Sequence, residues 1–232
     1  NMEILGIDPG SIDAVLLSHC HYDHTQGLIG MLKAIGREIP VIGHPSIFRD
    51  NYIFVPFLRN IGITEENGIS EIKKAGGQFF LTGEPFEIMP GVLSTGEVER
   101  LVDFERQGVG TYNLIDGQIS GDRIIDDLSI VVNVEGEGLV IVVGCSHAGI
   151  INIIKHAQRI TGIEKVAAVM GGFHLIEASE ERIQKTSQAL KEMNIDLVVA
   201  GHCTGLMASA GIAQMLGKRF NQLHIGKIVD IP

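Results

Sequence analysis

Short apolar runs alternate with helical patterns along the second half of the chain. Three strand and helix pairs follow this order: 139–143 with 150–160, 166–170 with 180–193, and 197–200 with 206–216. Segments of this length and periodicity predict βαβ units with a sheet covered on its faces. Just before the first pair, the apolar run 129–134 meets 139–143 through the turn-forming residues 135–138, which predicts a β-hairpin.

The first half of the chain has a less regular pattern. It predicts a strand at 13–17, a helix at 26–35 and a strand at 39–42, whereas 48–77 mixes helical pattern and charge. The stretch 95–127 is rich in Gly, Asp and Glu, and we interpret it as a long loop that is either a lid or a solvated linker. The whole of 1–232 is expected to form a single domain.

The composition of the chain narrows the range of functions it can have. Hydrophobic residues make up 45% and charged residues 20% of the chain, as in an ordinary globular protein. The net charge of −10 argues against a nucleic-acid surface, which requires a basic stripe. No run approaches the roughly 18 consecutive apolar residues of a membrane span, and no signal sequence is visible, so we expect a cytoplasmic protein without membrane contacts.

The most informative polar segment directly follows the apolar run 14–17. It reads His19-Cys20-His21-Tyr22-Asp23-His24, which places three imidazoles and a carboxylate within six residues. Alternate residues of an extended segment point the same way, so His19, His21 and Asp23 can share one side. A turn into the following helix would direct Asp23 and His24 towards a second point. This donor set suits zinc, and a mixed nitrogen and oxygen shell also admits iron or manganese.

Three later segments also follow strand-like runs and carry polar residues: Gly144-Cys145-Ser146-His147, Gly172-Phe173-His174 and Gly201-His202-Cys203. The chain has three cysteines, each within two residues of a histidine in these motifs or in the 19–24 segment. They are expected to be reduced thiols around a metal centre rather than a disulfide framework. His44, His156 and His224 lie outside such motifs and are assigned to structure or surface.

The 19–28 segment resembles the His-x-His-x-Asp-His-x-x-Gly signature of the metallo-β-lactamase superfamily. The three later segments are similar to those of one branch, the dihydropterin-ribofuranosylaminobenzene phosphate synthase-like proteins of the methanopterin pathway. This resemblance implies an α/β protein with a four-layer αββα sandwich. The family usually has several strands before the metal loop, so we expect that the first strands of the fold are absent from this chain by truncation, cleavage or disorder. Either a separate N-terminal fragment or a homo-oligomer is the expected partner.

The resemblance also implies one or two metal ions. His19, His21 and His147 would hold the first ion, and Asp23, His24 and His202 the second. Where many relatives carry a bridging aspartate the chain has Cys145, so either Cys145 or His147 is the ligand there. Glu97 stands where many relatives have a histidine and would either ligate through oxygen or lie idle in the loop.

The expected function is that of a metal-dependent hydrolase-like enzyme, in which metal-bound hydroxide attacks a carbonyl or phosphoryl group of a small molecule. Asp23 is expected to be essential for catalysis. His174 would contact substrate phosphate, donate a proton to the leaving group, or hold a ligand by a hydrogen bond. The substrate would be phosphorylated or of pterin type. The alternatives are a non-catalytic metal-binding partner subunit and a di-iron redox protein on the same fold.

Overall fold

The structure is a computed structural model that describes residues 1–105 and 110–231. The strands, in chain order, are β1 (Val15–Leu16), β2 (Ile39–Gly43), β3 (Tyr52–Ile53), β4 (Arg59–Asn60), β5 (Gly77–Leu81), β6 (Phe86–Met89), β7 (Val92–Ser94), β8 (Tyr112–Ile115), β9 (Gln118–Gly121), β10 (Ile130–Val134), β11 (Gly138–Val142), β12 (Val166–Gly172), β13 (Leu197–Gly201) and β14 (Phe220–Gln222). The α-helices are α1 (Tyr22–Thr25), α2 (Leu28–Ile35), α3 (Ile69–Lys74), α4 (Ile150–Thr161), α5 (Glu180–Glu192) and α6 (Leu206–Leu216). Short 3₁₀ helices occur at Pro9–Ser11, Pro45–Phe48, Glu65–Asn67, Asp103–Glu105, His202–Thr204 and Gly217–Arg219.

The described residues group into two compact units. Unit 1 contains those within Asn1–Gly83 and Gly108–Asp126, and unit 2 contains those within Glu84–Gln107 and Asp127–Pro232. The single domain predicted for 1–232 stays a prediction, and residues 106–109 and 232 of that range lie outside the described residues.

Unit 1 carries a parallel three-stranded sheet in the order β1-β2-β5. Val15 pairs with Val41, and the strand predicted at 13–17 is therefore confirmed in a shorter form. Helix α2 ends at Gly36, whose φ of 70° is a left-handed conformation that favours glycine. Leu32 and Ile72 are fully buried in the core of this unit.

A second sheet of unit 1 is antiparallel, in the order β4-β3-β8-β9. Strands β8 and β9 form a hairpin over 112–121, so the interpretation of 95–127 as a loop is wrong there. Its turn is Asp116-Gly117, with φ values of 49° and 76°, as in a tight hairpin turn. The sequence hid these strands because β9 is exposed throughout and shows no buried apolar face. The predicted role as a lid stays a prediction, and 106–109 lie outside the described residues.

Unit 2 contains a seven-stranded sheet in the order β14-β13-β12-β11-β10-β7-β6. Strands β11 to β14 are parallel, and β10 pairs with β11 as the predicted antiparallel hairpin. The three predicted strand and helix pairs are confirmed as β11-α4, β12-α5 and β13-α6. Because β11, β12 and β13 are parallel neighbours, their carboxyl ends meet at one edge of the sheet, and the three polar segments begin there.

A distant carboxylate caps α4, the helix that follows the first of these segments. Glu105 is buried and accepts hydrogen bonds from the backbone N–H groups of Ile151 (3.0 Å) and Asn152 (2.9 Å). Burial raises the pKa of Glu105 despite these two bonds. Gly149 makes the close approach possible, since its φ is 99° and a Cβ there would lie 2.3 Å from Glu105 Oε2.

The prediction of a mixed α/β protein is confirmed by these sheets and helices. Within residues 1–105 and 110–231, every helix is too short or too polar to cross a membrane.

Candidate metal centre

The predicted metal loop of unit 1 lies between β1 and α1. His19 is fully buried, and His21 is nearly so and precedes the first residue of α1. His24 is half-buried, whereas Asp23 is exposed. The chain therefore turns inward at the first two histidines and outward at the carboxylate.

The histidine nitrogens of this loop converge. His19 Nε2 lies 3.1 Å from His21 Nδ1, and the His19 and His24 rings have centroids 4.1 Å apart. Ser18 Oγ lies 3.0 Å from His19 Nδ1 and 3.3 Å from His24 Nδ1. Asp23 Oδ2 lies 3.5 Å from His24 Nε2. Four of the predicted ligands of unit 1 are thus neighbours in space as well as in sequence.

A buried polar chain behind His21 assigns its tautomer. Asn51 Nδ2 donates to Asp122 Oδ2 (2.6 Å), so Asn51 Oδ1 is the atom that faces His21 Nε2 at 3.1 Å. Nε2 must then carry the proton, and Nδ1 has the lone pair that a metal ion needs. Burial lowers the pKa of His21 and so also favours the neutral, metal-binding ring.

Arg49 anchors this chain with two carboxylates. Its Nε donates to Asp122 Oδ2 (2.7 Å), and its Nη2 lies 2.7 Å from Asp126 Oδ1. Burial acts to raise the pKa of Asp122, but the hydrogen bonds from Arg49, the Ile124 N–H and Asn51, together with the charge of Arg49, outweigh it, and the pKa is lowered. Asp126 also accepts from the backbone N–H of Cys20 (2.7 Å), which holds the metal loop at its middle residue.

All three cysteines are free thiols, as expected, but Cys20 packs in the core rather than facing a metal centre. Its side chain is fully buried in the apolar core of unit 1. Burial, followed by the negative charge of Asp126, raises the pKa of the thiol well above its usual range. Cys20 is therefore a protonated packing residue, and thiolate ligation at this position is disfavoured.

The polar edge of unit 2 gathers a second set of side chains from the ends of β11, β12 and β13. Ligand atoms of Cys145, His174 and Cys203 all lie within 4.8 Å of one another. The rings of His147 and His174 have centroids 4.3 Å apart. A hydrogen bond with Cys145, followed by contacts with His174, lowers the pKa of the Cys203 thiol well below its usual range despite burial.

The backbone of this edge is strained. Ser146, His174 and His202 adopt positive φ values of 57°, 42° and 53°, which are uncommon for residues other than glycine. Hydrogen bonds hold two of these turns: Ser146 Oγ donates to the carbonyl of Gly172 (2.7 Å), and Thr204 Oγ1 accepts from the N–H of Phe173 (3.0 Å). The strain orients the side chains of the edge, and such strain is often retained at functional sites.

The structure thus brings together His19, His21, Asp23 and His24 in unit 1, and Cys145, His147 and His174 with Cys203 in unit 2. His202 lies exposed at the same strand end as Cys203. Glu97 is exposed, and among the described residues it joins none of the groups of His, Cys, Asp or Glu side chains close enough to hold an ion. The ligand assignments themselves stay predictions.

Other histidines take the structural roles predicted for them. His44 Nδ1 accepts from the backbone N–H of Ser46 (3.0 Å), and His156 Nε2 donates to the carbonyl of Thr95 (2.9 Å). Sequence reasoning did not single out Asn51, Asp122 or Arg49. Those residues have no motif of their own, since only the fold places them behind the metal loop.

Comparisons with known proteins agree with this geometry. A family model described as a beta-lactamase superfamily domain matches residues 2–92. The 7,8-dihydropterin-6-methyl-4-(beta-D-ribofuranosyl)-aminobenzene-5'-phosphate synthase of Methanocaldococcus jannaschii is 40% identical over 232 residues, covering 99% of this chain and 79% of that protein. Uncharacterized protein MJ0448 of the same organism is 31% identical over 219 residues, covering 94% and 78%.

Solved structures give the same result. The crystal structure of Tm1679, described as a metal-dependent hydrolase of the beta-lactamase superfamily, has a TM-score of 0.81 at 26% identity and covers 99% of this chain and 84% of its own. Zn²⁺-bound PqqB from Methylobacterium extorquens has a TM-score of 0.55 at 17% identity, covering 94% and 73%, and shows likeness of fold alone. These structures confirm the fold expected from the sequence.

Proposed function

The chain belongs to the metallo-β-lactamase superfamily, in its dihydropterin-ribofuranosylaminobenzene phosphate synthase-like branch, and we propose that it is a metal-dependent, hydrolase-like enzyme. The observation that carries the proposal is the approach of His19 Nε2 to His21 Nδ1 at 3.1 Å in a buried loop. The donor set fits a divalent ion of the zinc, iron or manganese type. A bound ion of this type lowers the pKa of water and polarises a carbonyl or phosphoryl oxygen.

The loop residues can adapt to such an ion without leaving a polar atom unsatisfied. Without an ion, His19 Nε2 and His21 Nδ1 share a hydrogen bond. An ion between them requires lone pairs on both atoms, so the His19 proton must lie on Nδ1. Ser18 Oγ is 3.0 Å from that nitrogen and can accept the proton's hydrogen bond. His21 already has the required tautomer through Asn51.

The remaining roles follow the sequence prediction. We assign Asp23 to the orientation of the reacting water and ion ligation, with His24 beside it, and His147 and His202 to ion ligation. His174 is proposed to contact a substrate phosphate or to donate the leaving-group proton. The proposed substrate is a small phosphorylated or pterin-type molecule. The relative from M. jannaschii, whose name includes both a dihydropterin and a 5'-phosphate, supports that choice.

The test uses metal-free protein reloaded with Zn²⁺, Mn²⁺ or Fe²⁺ and assayed on chromogenic phosphodiesters, esters, lactones and phosphorylated dihydropterins. We expect metal-dependent turnover of at least one class, with loss of turnover in Asp23→Ala and loss of a bound ion in His19→Ala. His224→Ala is the control, because His224 is exposed and outside the predicted ligand set. Equal turnover with and without metal, or full activity of Asp23→Ala, would reject the proposal.

A further inference from the structure

We propose that Cys145, His174 and Cys203 form a thiolate-rich site for one divalent cation of the zinc class, built entirely within unit 2. Each residue follows a different strand of the parallel sheet, namely β11, β12 and β13. The two sulfurs and an imidazole nitrogen lie within 4.8 Å of one another. A zinc ion with bonds of about 2.3 Å to sulfur and 2.0–2.1 Å to nitrogen fits between atoms at such distances after small side-chain adjustments.

The surroundings of the three side chains favour a cation over packing alone. Cys145 is buried, and Cys203 Sγ donates to the carbonyl oxygen of Cys145 (3.7 Å). His174 Nδ1 is buried and has no hydrogen-bond partner in the described part of the chain. Buried polar atoms normally have a partner, and ligation of the ion through Nδ1 would supply one. Two sulfurs with one imidazole form a donor set that selects zinc over magnesium or calcium.

The position of each ligand is fixed by its backbone, which is a further requirement of a metal site. His174 holds a φ of 42°, and the N–H groups of Leu175 and Ile176 both donate to the carbonyl of Cys203 (3.1 Å each). At Gly172, a Cβ would lie 2.6 Å from Cys203 Sγ, so only glycine lets this sulfur approach. Thus the turn after β12 is shaped around Cys203.

Both sulfurs would bind the ion as thiolates, so binding would displace any thiol proton that remains, with no redox change and no other reactant. Three protein ligands leave one position of a tetrahedral ion for water. Cys203 has no place in the ligand set predicted for the main metal centre, and Cys145 is only an alternative there. Variants of Cys203 therefore separate the two sites.

The experiment is a Co²⁺ titration of metal-free, fully reduced His19→Ala/His21→Ala protein, in which the predicted first ion of the main centre loses two ligands. We expect near-ultraviolet thiolate-to-cobalt charge-transfer absorption that saturates at one ion per chain. The absorption should disappear in the added Cys203→Ser variant and survive in Cys20→Ala, because Cys20 lies in the core of unit 1. Cys203→Ser should also weaken Zn²⁺ binding by more than the roughly 10–100-fold cost of losing an outer-shell partner.

Thermal unfolding gives a second readout. Zn²⁺ should raise the melting temperature of His19→Ala/His21→Ala, and the rise should vanish with Cys203→Ser although that variant folds without metal. Absence of thiolate absorption in correctly folded, reduced protein would overturn the site. Absorption of unchanged intensity in Cys203→Ser would also overturn the site. The same holds if Zn²⁺ fails to protect Cys145 and Cys203 against forming a disulfide with each other. Neither readout uses turnover. A failure of the thiolate site therefore does not contradict the proposed function, and a failure of the proposed function does not contradict the thiolate site.

Discussion

The predicted metal loop of unit 1 and the polar edge of unit 2 both bring together side chains of the types that bind metal ions, but these side chains are held in place by different means. In the loop, orientation comes from a buried polar chain that runs from His21 through Asn51 and Asp122 to Arg49. At the edge of unit 2, it comes from positive φ values at His174 and His202 and from glycines packed against neighbouring strands. Side-chain hydrogen bonds orient the residues of the loop, whereas backbone conformation orients the residues of the edge.

This difference predicts how each region responds to substitution. A polar chain can lose one member and still leave the backbone folded, so damage should affect ligand orientation more than stability. A tightly packed glycine does not tolerate substitution in this way, since an added methyl group must displace backbone atoms. Four substitutions test the contrast.

The largest effect is expected from Gly171→Ala in β12. Its φ is 139°, and a Cβ would lie 2.2 Å from the carbonyl oxygen of Val143. Because backbone must move, the free energy of unfolding should fall by more than about 3 kcal/mol, as measured by urea denaturation. Gly30→Ala in α2 is the matched control; its Cβ meets nothing within 4 Å, and it should gain about 0.5–1 kcal/mol. Equal urea-denaturation midpoints for Gly171→Ala and the wild type would contradict the idea that close backbone packing holds the edge of unit 2 in place.

Asn51→Ala tests the polar chain of unit 1. Removing the amide frees the His21 ring from its fixed tautomer, so Zn²⁺ affinity should fall roughly 10–100-fold in a calorimetric titration. The stability loss should be smaller than that of Gly171→Ala, about 1–3 kcal/mol, because Asp122 keeps its bond to Arg49. Asn113→Ala, in the hairpin of the same unit, is the control and should bind Zn²⁺ normally. Wild-type affinity in Asn51→Ala would show that His21 is oriented by other contacts.

His156 provides a pH test inside unit 2. Its Nε2 donates to the carbonyl of Thr95, and its Nδ1 accepts from Arg159, which also pairs with Glu99. Burial lowers the pKa of His156, so the unfolded chain binds the proton more tightly. Its contribution to stability is therefore present above the unfolded pKa of about 6.5 and is lost as pH falls below it, by up to about 1.4 kcal/mol per pH unit.

The measurement for His156 is chemical denaturation of metal-free protein at several pH values between about 7.5 and 5. His156→Gln can keep both hydrogen bonds without titrating, so its stability should decline less steeply than that of the wild type. If the free energies of unfolding of the two proteins declined equally with falling pH, His156 would not be the cause of the decline.

The smallest effect is expected from Gly117→Ala in the turn between β8 and β9. Its φ is 76° and a Cβ would meet nothing within 4 Å, so the cost is conformational strain of about 1 kcal/mol. Zn²⁺ affinity should not change, because Arg49 holds Asp122 and Asp126 independently of the turn. Thermal unfolding and a Zn²⁺ titration check both parts, with Gly121→Ala as a neutral control. An affinity loss like that of Asn51→Ala would show that the hairpin helps to position the metal loop.

The local features of this protein were determined by its sequence. Apolar runs and helical periodicity predicted β11 to β13 with α4 to α6, because the buried positions of a strand or a helix recur at a characteristic spacing along the sequence. The density of histidine in 19–24 predicted the metal loop for a similar reason, since all of its candidate donors come from one short segment. The hairpin at 112–121 escaped because its strands bury little apolar surface.

Which distant groups support the predicted ligands depends on the three-dimensional fold. Asn51 and Asp122 are 71 residues apart, yet they share a hydrogen bond behind His21. Cys203 reaches Cys145 and His174 only because β11, β12 and β13 end at the same edge and Gly172 leaves room for its sulfur. Such pairings depend on sheet order and close approach, which involve residues far apart in the chain and therefore leave no local pattern in the sequence.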